Sequence, residues 1–371
     1  MKYREFGKLG IEVSALGFGC MRFPVTDPKD STKIDEELAM AMLRKAIDSG
    51  VNYVDTAWPY HGQASEPFVG RALRDGYREK VYLATKIPMW EVKEEADFDR
   101  FLNEQLKRLE TDHIDFYLLH ALNRDRWETV KRCNFLAKLE EAKADGRIRY
   151  AGFSFHDDLD CFKMIIDGYE KWDFCQIQYN YINTDYQAGT EGLRYAADRG
   201  IGVVIMEPLL GGKLANAPEQ VEKALDPSRR PVQWALDFLW SQPEVSVVLS
   251  GMSTMEQVED NLALADASRI GKLTAEEYEM LKRAKVTFET MARVPCTKCA
   301  YCMPCPFGLD IPKTFEAYNW TASRGMAKAK ELYETLEKKA DACRKCRRCE
   351  RECPQNIKIS EVMSDVAASF K

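Results

Sequence analysis

Eight of the twelve cysteines lie in two tight groups near the C-terminal end of the sequence. The groups are Cys296, Cys299, Cys302 and Cys305, followed by Pro306, and Cys343, Cys346, Cys349 and Cys353, followed by Pro354. The second group has the spacing C-x2-C-x2-C-x3-C-P, a run that binds [4Fe–4S] clusters. In the first group the last gap is two residues instead of three. Together the groups predict a pair of [4Fe–4S] clusters.

The fourth cysteine of each group has a separate expected role. Where two such runs occur in one protein, the proline-linked fourth cysteine binds the cluster of the other run. We therefore expect one cluster on Cys296, Cys299, Cys302 and Cys353, and the other on Cys343, Cys346, Cys349 and Cys305. Two zinc sites of four cysteines are the alternative, because structural zinc sites also use C-x2-C pairs. Zinc has no use for a third C-x2 step or a trailing Cys-Pro, so the spacing favours clusters.

Basic side chains surround the second group, at Arg344, Lys345, Arg347, Arg348 and Arg351. They could offset the negative charge of a cluster, or bind an acidic electron-transfer protein such as a ferredoxin. A solvated charged surface explains them equally well. A redox partner is therefore one of three interpretations of this run.

Four polar residues lie at or just beyond the ends of predicted strands. Asp55, Lys86 and His120 end the second, third and fourth strand candidates, and Tyr60 lies five residues after Asp55. Each alone has an ordinary explanation, such as a solvated lysine or a structural histidine. Together they predict one catalytic site, because functional residues of (β/α)8 barrels lie at the C-terminal ends of the strands.

Short apolar segments alternate with helical segments before the cysteine groups. The strand candidates are Val13–Gly17, Asn52–Asp55, Val81–Lys86, Phe116–His120, Tyr150–Ser154, Cys175–Gln178, Gly202–Glu207 and Ser246–Ser250, after a hairpin from Tyr3 to Glu12. Helices are predicted at Glu36–Ser49, Asp97–Leu109, Glu128–Ala144, Thr190–Arg199 and Pro231–Trp240. Eight βα units in about 260 residues predict a (β/α)8 TIM barrel. A Rossmann fold is the competitor, but Gly17-Phe18-Gly19 lacks the third glycine, so that evidence is weak.

Length and composition fit one barrel with a small second domain. We assign residues 1–270 to the barrel and residues 271–371 to a helical linker and a mostly helical [4Fe–4S] domain, with helices over Lys272–Pro295 and Ala327–Lys339. The net charge of −6 argues against nucleic acid as a partner. The start MKYREFGKLG has no apolar signal region, and no apolar run is long enough to span a membrane. We therefore expect a cytoplasmic protein without a membrane partner, in which thiols stay reduced.

With the catalytic and cysteine motifs in view, the sequence resembles the aldo/keto reductases from Met1 to about Ala267. The segments that carry the resemblance are LGFGCM, VDTAWPYHG, YLATKI, IDFYLLH, AGFSFH, CQIQYN, MEPLLGGKL and LSGMSTMEQVEDNL. The two cysteine groups extend it to the iron–sulfur branch of that family. The C-terminal part resembles all-helical dicluster ferredoxin domains, because the segment between the groups is long and helical.

The resemblance implies a tetrad of Asp55, Tyr60, Lys86 and His120 that reduces a small-molecule carbonyl with NADP or NAD. Tyr60 would donate the proton, and the Lys86 cation would lower the pKa of its phenol toward neutrality. Asp55 would hold Lys86 in place, and His120 would orient the carbonyl oxygen. These roles agree with what the residue types can do chemically.

The resemblance also implies cofactor contacts. They fall on Ser154 and Gln176 for the nicotinamide carboxamide, Met206 for the ring, Gly211 and Lys213 for the pyrophosphate, and Asp260 and Asn261 for the adenosine. Three departures stand out. Met206 replaces the family's stacking aromatic on the seventh strand. Phe155 replaces the asparagine that usually follows the serine, and no cation occupies Gly251, Met252, Ser253 or Gln257, where the family binds the 2′-phosphate.

A nicotinamide transfers two electrons together, whereas a [4Fe–4S] cluster transfers one at a time. Three hypotheses follow. The first is a carbonyl reductase whose clusters serve electron transfer or redox sensing. The second is an oxidoreductase linked to ferredoxin or to a bound flavin, with the clusters as a relay. The third is a non-catalytic sensing or electron-carrier subunit, against which the intact tetrad argues.

Overall fold

The computed structural model describes all 371 residues, which form two compact units. The first unit comprises Met1–Pro208 and Leu236–Leu273, and the second comprises Leu209–Ala235 and Thr274–Lys371. No helix has both the length and the apolar character needed to cross a bilayer.

The first unit is a closed barrel of eight parallel strands, which confirms the predicted fold class. A hairpin of β1 (Tyr3–Glu5) and β2 (Glu12–Ser14) precedes it. The barrel strands are β3 (Leu16–Gly19), β4 (Tyr53–Asp55), β5 (Tyr82–Ile87), β6 (Ile114–Leu122), β7 (Ile148–Phe155), β8 (Phe174–Gln178), β9 (Gly202–Met206) and β10 (Val247–Gly251). They close in the order β10-β3-β4-β5-β6-β7-β8-β9, so neighbours in sequence are neighbours in space.

Helices connect the strands. They are α1 (Glu36–Asp48), α2 (Ser65–Ala72), α3 (Asp97–Arg108), α4 (Arg124–Arg132), α5 (Phe135–Ala144), α6 (Leu159–Asp167), α7 (Gly189–Ala197), α8 (Glu219–Glu222), α9 (Pro231–Trp240) and α10 (Met255–Asp266). Short 3₁₀ turns lie at Tyr60–Gln63, Arg78–Lys80 and Met89–Glu91. The predicted helix Pro231–Trp240 has the observed bounds, and α1 ends one residue before its predicted end at Ser49.

The first predicted strand, Val13–Gly17, is wrong in its bounds. Val13 belongs to the hairpin, and the barrel strand starts at Leu16. The hairpin closes one end of the barrel, where the Phe6 ring lies 4.8 Å from Phe116 and 6.0 Å from Phe174. Val13 is buried in the same cluster. Its apolar side chain therefore packs in the hairpin that closes the barrel, and Val13 is not part of a barrel strand.

The predicted helix Glu128–Ala144 is wrong as a single helix. Two helices, α4 and α5, meet at Asn134, whose φ of 56° lies in the left-handed region. Asn tolerates this conformation better than most residues, so it allows the chain to turn between the helices. Helix-forming composition on both sides concealed the break.

The second unit consists of helices and loops. Its further helices are α11 (Ala275–Met291), α12 (Ile311–Ser323), α13 (Met326–Glu334), α14 (Arg348–Arg351) and α15 (Ile359–Ser369). A buried cluster that includes Phe315, Tyr318, Tyr333 and Met363 forms its core, and six of the eight grouped cysteines pack against that core.

The segment Leu209–Ala235 clusters with the second unit, although the sequence interpretation assigned it to the barrel domain. Gly211 has a φ of 66°, and a β-carbon there would overlap the carbonyl oxygen of Thr297. The backbone after β9 therefore lies directly against the backbone that follows Cys296. Only glycine permits this approach.

Candidate active site

Lys86 lies at the centre of the site, on β5 near its carboxyl end. Its Nζ donates to Asp55 Oδ1 at 2.6 Å, to the Thr56 carbonyl at 2.9 Å and to the Tyr60 hydroxyl at 3.2 Å. The four residues are all buried. One ammonium thus links the strand end that carries Asp55 to the turn that carries Tyr60.

Burial and ion pairing act in opposite directions on this pair. Burial raises the pKa of Asp55, and the Lys86 cation opposes that rise. Burial likewise lowers the pKa of Lys86, and Asp55 opposes that fall. Each charge therefore depends on the other, because an isolated buried charge would be costly.

The turn that carries Tyr60 is fixed by its neighbour His61. The His61 Nε2 accepts from the Phe23 N–H at 3.1 Å, so the ring is neutral and its Nδ1 donates to the Ser31 carbonyl at 2.8 Å. Burial lowers the pKa of His61, which favours this neutral form. The loop around Phe23 is thereby tied to the Tyr60 turn.

A second buried network supports the strand that carries Lys86. Gln105 from α3 donates to the Lys86 carbonyl at 3.1 Å and to Glu66 Oε1 at 2.6 Å. The Thr85 hydroxyl donates to the same Glu66 oxygen at 2.7 Å. These contacts explain how the lysine is positioned, and no sequence spacing pointed to them.

His120 lies at an irregular point of β6. The register between β6 and β7 shifts between Leu119 and Leu122, and Ala121 has a φ of 53°. Such bulges redirect side chains and occur next to active sites. The His120 ring lies 6.2 Å from the Tyr60 ring and 5.0 Å from the Trp90 ring. Burial and then Lys86 hold its pKa well below the usual range, so the ring is neutral at pH 7.

The residues expected to contact a cofactor have different surroundings. Ser154 and Gln176 lie buried on β7 and β8, and Met206 ends β9. The Gln176 Oε1 is buried without a hydrogen-bond partner, so it needs a donor. Asp260 and Asn261 lie on α10, where Asn261 donates to Ser250 Oγ at 3.0 Å.

Gly211 and Lys213, the expected pyrophosphate contacts, belong to the second unit. Burial raises the pKa of the Cys296 thiol, and the nearby Lys213 cation opposes that rise. Lys213 therefore lies beside a predicted cluster ligand. The structure gives Gly211 the separate role of close backbone approach to Thr297.

Four grouped cysteines converge on one small cavity in the second unit. Cys296, Cys299, Cys302 and Cys353 line it together with Pro354. This is the set expected for one cluster under crossed ligation. No three side chains of the types that bind metals are close enough to hold a single ion. A [4Fe–4S] cluster instead spreads its cysteines over separate irons, so the four thiols fit such a group.

The second cysteine group includes the most exposed of the grouped cysteines. Burial raises the pKa of the Cys349 thiol to about 11, with contributions from Cys346 and Cys343 that place the three thiols near one another. Cys346 is the one exposed cysteine of the twelve. The five basic residues around this group are all exposed.

Two arginines near the site carried no recognisable sequence signal. Arg126 on α4 donates to the Ala121 carbonyl at 2.7 Å, directly beside His120. Arg22 lies against Gly251, where a β-carbon would be 3.2 Å from the arginine Cβ and Cγ. Its carbonyl accepts from Ser253 Oγ at 2.7 Å. The stem of an arginine side chain therefore lies beside positions at which the sequence shows no cation.

Comparison with known proteins gives two family matches. Residues 15–285 match the aldo/keto reductase family, and residues 294–357 match the 4Fe-4S dicluster domain. The first match covers the tetrad, and the second covers all eight grouped cysteines. The dicluster match supports iron–sulfur clusters over zinc.

Individual relatives agree with the first match. An uncharacterised oxidoreductase, YqkF of Bacillus subtilis, is 28% identical over 76% of this chain and 96% of its own length. L-galactose dehydrogenase of Arabidopsis thaliana is 27% identical over 71% of this chain and 88% of its own. Among solved structures, the aldo-keto reductase AKR11C1 of Bacillus halodurans in its holo form aligns with a TM-score of 0.62 at 28% identity, covering 76% and 96% of the two chains.

Proposed function

Because the chain belongs to the aldo/keto reductase family and carries a 4Fe-4S dicluster domain, we propose that this oxidoreductase reduces the carbonyl group of a small molecule with NADPH or NADH. The observation that carries the proposal is the single Lys86 ammonium in hydrogen-bond contact with both Asp55 and the Tyr60 hydroxyl. An electron-carrier subunit without catalysis would not need this arrangement.

Each side chain of the tetrad has a separate role in the proposed reduction. A bound nicotinamide would supply the hydride for the carbonyl carbon. Tyr60 would then give its hydroxyl proton to the carbonyl oxygen. Lys86, 3.2 Å from that hydroxyl, stabilises the phenolate that remains. Asp55 holds the ammonium in position. The neutral His120 donates an N–H to the developing oxyanion. The products are the alcohol and the oxidised nicotinamide.

Gln176 is the residue that best supports a nicotinamide. A carboxamide presents an N–H group, and the buried Gln176 Oε1 lacks a donor. Ser154, Met206, Asp260 and Asn261 are the further residues assigned to the cofactor. Arg22 supports NADPH, because the stem of its side chain lies against Gly251, one of the positions assigned to the 2′-phosphate, and an arginine fork suits a phosphate.

Bound clusters would supply one-electron transfer, and we assign their ligands as two crossed sets. The first set is Cys296, Cys299, Cys302 and Cys353, supported by their common cavity. The second set is Cys343, Cys346, Cys349 and Cys305.

A relay function is the second candidate, and the exposure of Cys346 favours it. An exposed cluster ligand ringed by five exposed cations suits docking of an acidic one-electron carrier such as a ferredoxin. Reduction of the clusters by ferredoxin, with a rate that falls as salt rises, would support this role. Cluster reduction by NADPH alone would instead connect the clusters to the barrel site.

The test of the main proposal uses the holoprotein, purified without air and analysed for iron, sulfide and flavin. We expect NADPH- or NADH-dependent reduction of aldehydes. Tyr60→Phe should lower kcat by about 10²- to 10⁴-fold, because it removes the proton donor. Cluster content should not change. Tyr3→Phe, which removes an exposed hydroxyl from the N-terminal hairpin, is the control. Reduction by Tyr60→Phe at the wild-type rate would refute the assignment.

A further inference from the structure

Arg126 lies beside the reaction centre because of how α4 begins. The Asn123 side chain accepts from the Arg126 N–H at 2.9 Å and starts the helix. The Arg126 guanidinium then reaches back to the Ala121 carbonyl at 2.7 Å. Ala121 directly follows His120, so the guanidinium lies at the same strand end as the residue that orients the carbonyl.

An aromatic ring joins the two residues. The Arg126 guanidinium carbon is 5.4 Å from the centre of the Trp90 ring, and that ring is 5.0 Å from His120. Stacking on tryptophan limits the motion of a guanidinium and leaves its edge for hydrogen bonds. Trp90, Arg126 and His120 thus form one contiguous surface at the end of β6.

Two cations, Lys86 and Arg126, act on this surface. After burial they are charged groups that lower the pKa of His120, whereas His156 is neutral at pH 7 because burial lowers its own pKa to about 4. The Asp55 carboxylate is 2.6 Å from Lys86 and is used by that ion pair. A negatively charged group on a substrate would therefore be stabilised here. Partial burial of Arg126 strengthens that effect, because the region holds less water.

We propose that the substrate of this site is a carbonyl compound that also carries a carboxylate, and that Arg126 binds the carboxylate. The guanidinium fork matches a carboxylate in two hydrogen bonds, which gives orientation as well as affinity. Trp90 packs against the carbon chain or ring between the two groups. The inference rests on the proposed carbonyl reduction and adds the substrate class to it.

A matched pair of aldehydes tests this directly. The probes are 4-carboxybenzaldehyde and its neutral counterpart 4-formylbenzamide, assayed on the anaerobic holoprotein with each nicotinamide. We expect the wild type to prefer the carboxylate in kcat/KM by about 10- to 100-fold, as expected of a charged hydrogen-bonded pair. Arg126→Gln should abolish the preference through KM while the amide is reduced as before. Glutamine can still donate to the Ala121 carbonyl, so the local backbone keeps a partner.

Two further variants separate binding from folding. Arg126→Lys keeps the charge without the fork, so it should retain part of the preference. Arg124→Gln removes an exposed arginine two residues away and should leave both aldehydes unaffected. An equal loss of activity on both aldehydes in Arg126→Gln would assign the residue a structural role. That result would overturn the proposal.

Calorimetry makes the test independent of turnover. If neither aldehyde is reduced with NADPH or NADH, the proposed function fails, and the binding of the two probes is then compared on the same protein. Tighter binding of the carboxylate that is lost in Arg126→Gln supports the anion site by itself. Equal binding of both probes refutes it.

Discussion

At the scale of single residues, the sequence indicated four polar groups of the candidate site and missed the residues that support them. Asp55, Tyr60, Lys86 and His120 were identified because they stand at the ends of consecutive strands, and the structure brings Asp55, Tyr60 and Lys86 into hydrogen-bond contact. The residues that support them could not be found in this way. Glu66 and Gln105 reach the Lys86 strand from helices, and helical polar residues have no distinctive spacing.

Arg22 illustrates the same difference between sequence and space. The family resemblance places the phosphate-binding cation at Gly251, Met252, Ser253 or Gln257, and none of these residues is charged. The structure brings Arg22 to Gly251 from a loop more than two hundred residues earlier in the chain. The contact between Arg22 and Gly251 forms because the first and last barrel strands, β3 and β10, pair with each other. It could not be predicted from the positions of the two residues in the sequence.

This contact leads to a prediction about cofactor choice. Arg22→Gln should raise the KM for NADPH by about tenfold, as expected for loss of a charged hydrogen bond, and change that for NADH much less. Initial rates with both nicotinamides measure it. Lys29→Gln, an exposed change in the same loop region, is the control. An equal rise for both cofactors would show that Arg22 does not distinguish the 2′-phosphate.

At the scale of elements, the alternation of strands and helices predicted the barrel because each buried parallel strand has a short apolar run. The two errors in the predicted elements lie where one continuous sequence pattern covers two separate elements of the structure. Val13 continues an apolar run into the hairpin plug, and the helix predicted through Asn134 is two helices. In both places a backbone turn decides the outcome, and side-chain periodicity carries little information about it.

The loops that carry the cysteines give an element-scale prediction. If ligation is crossed, Cys353→Ser should remove the same cluster signal as Cys299→Ser, because both thiols line one cavity. Cys305→Ser should instead match Cys346→Ser. Electron paramagnetic resonance of the reduced protein, with iron analysis, compares the four variants.

Cys133→Ser provides the control for the cysteine variants. Its thiol donates to the Lys93 carbonyl, away from the groups in sequence, and a hydroxyl can make the same bond. Both cluster signals should persist. If Cys353→Ser removes the signal that Cys346→Ser removes, each group binds its own cluster and the crossed assignment fails.

At the scale of the whole molecule, the chain passes between the two compact units three times. The passages lie after Pro208, after Ala235 and after Leu273. The sequence interpretation placed a single boundary after residue 270, because the family resemblance ends near Ala267 and a predicted helix leads from there to the cysteine groups. The segment Leu209–Ala235 belongs to the second unit, but its amino-acid composition does not distinguish it from the barrel sequence on either side.

Removal of residues 274–371 should therefore destabilise the remaining chain. Leu214, Val221 and Leu225 are buried in a segment that clusters with the removed part, and their exposure favours aggregation. We expect a lower Tm and increased binding of a hydrophobic dye. Replacing residues 209–230 of the truncated chain with a Gly/Ser linker should reverse both effects. A truncated chain that is stable without this replacement would contradict the prediction.

The exposure of Cys346 has a consequence for the stability of the metal content in air. Susceptibility of sulfur to oxidation follows its access to solvent, and this is the one grouped thiol open to it. Dioxygen and peroxide would reach that corner of the second cluster before any other. Iron should be lost first from the cluster near Cys346. Iron bound in the more enclosed cavity that Cys302 lines should be retained longer. Preparations made in air would then contain half the expected metal and still have an intact barrel.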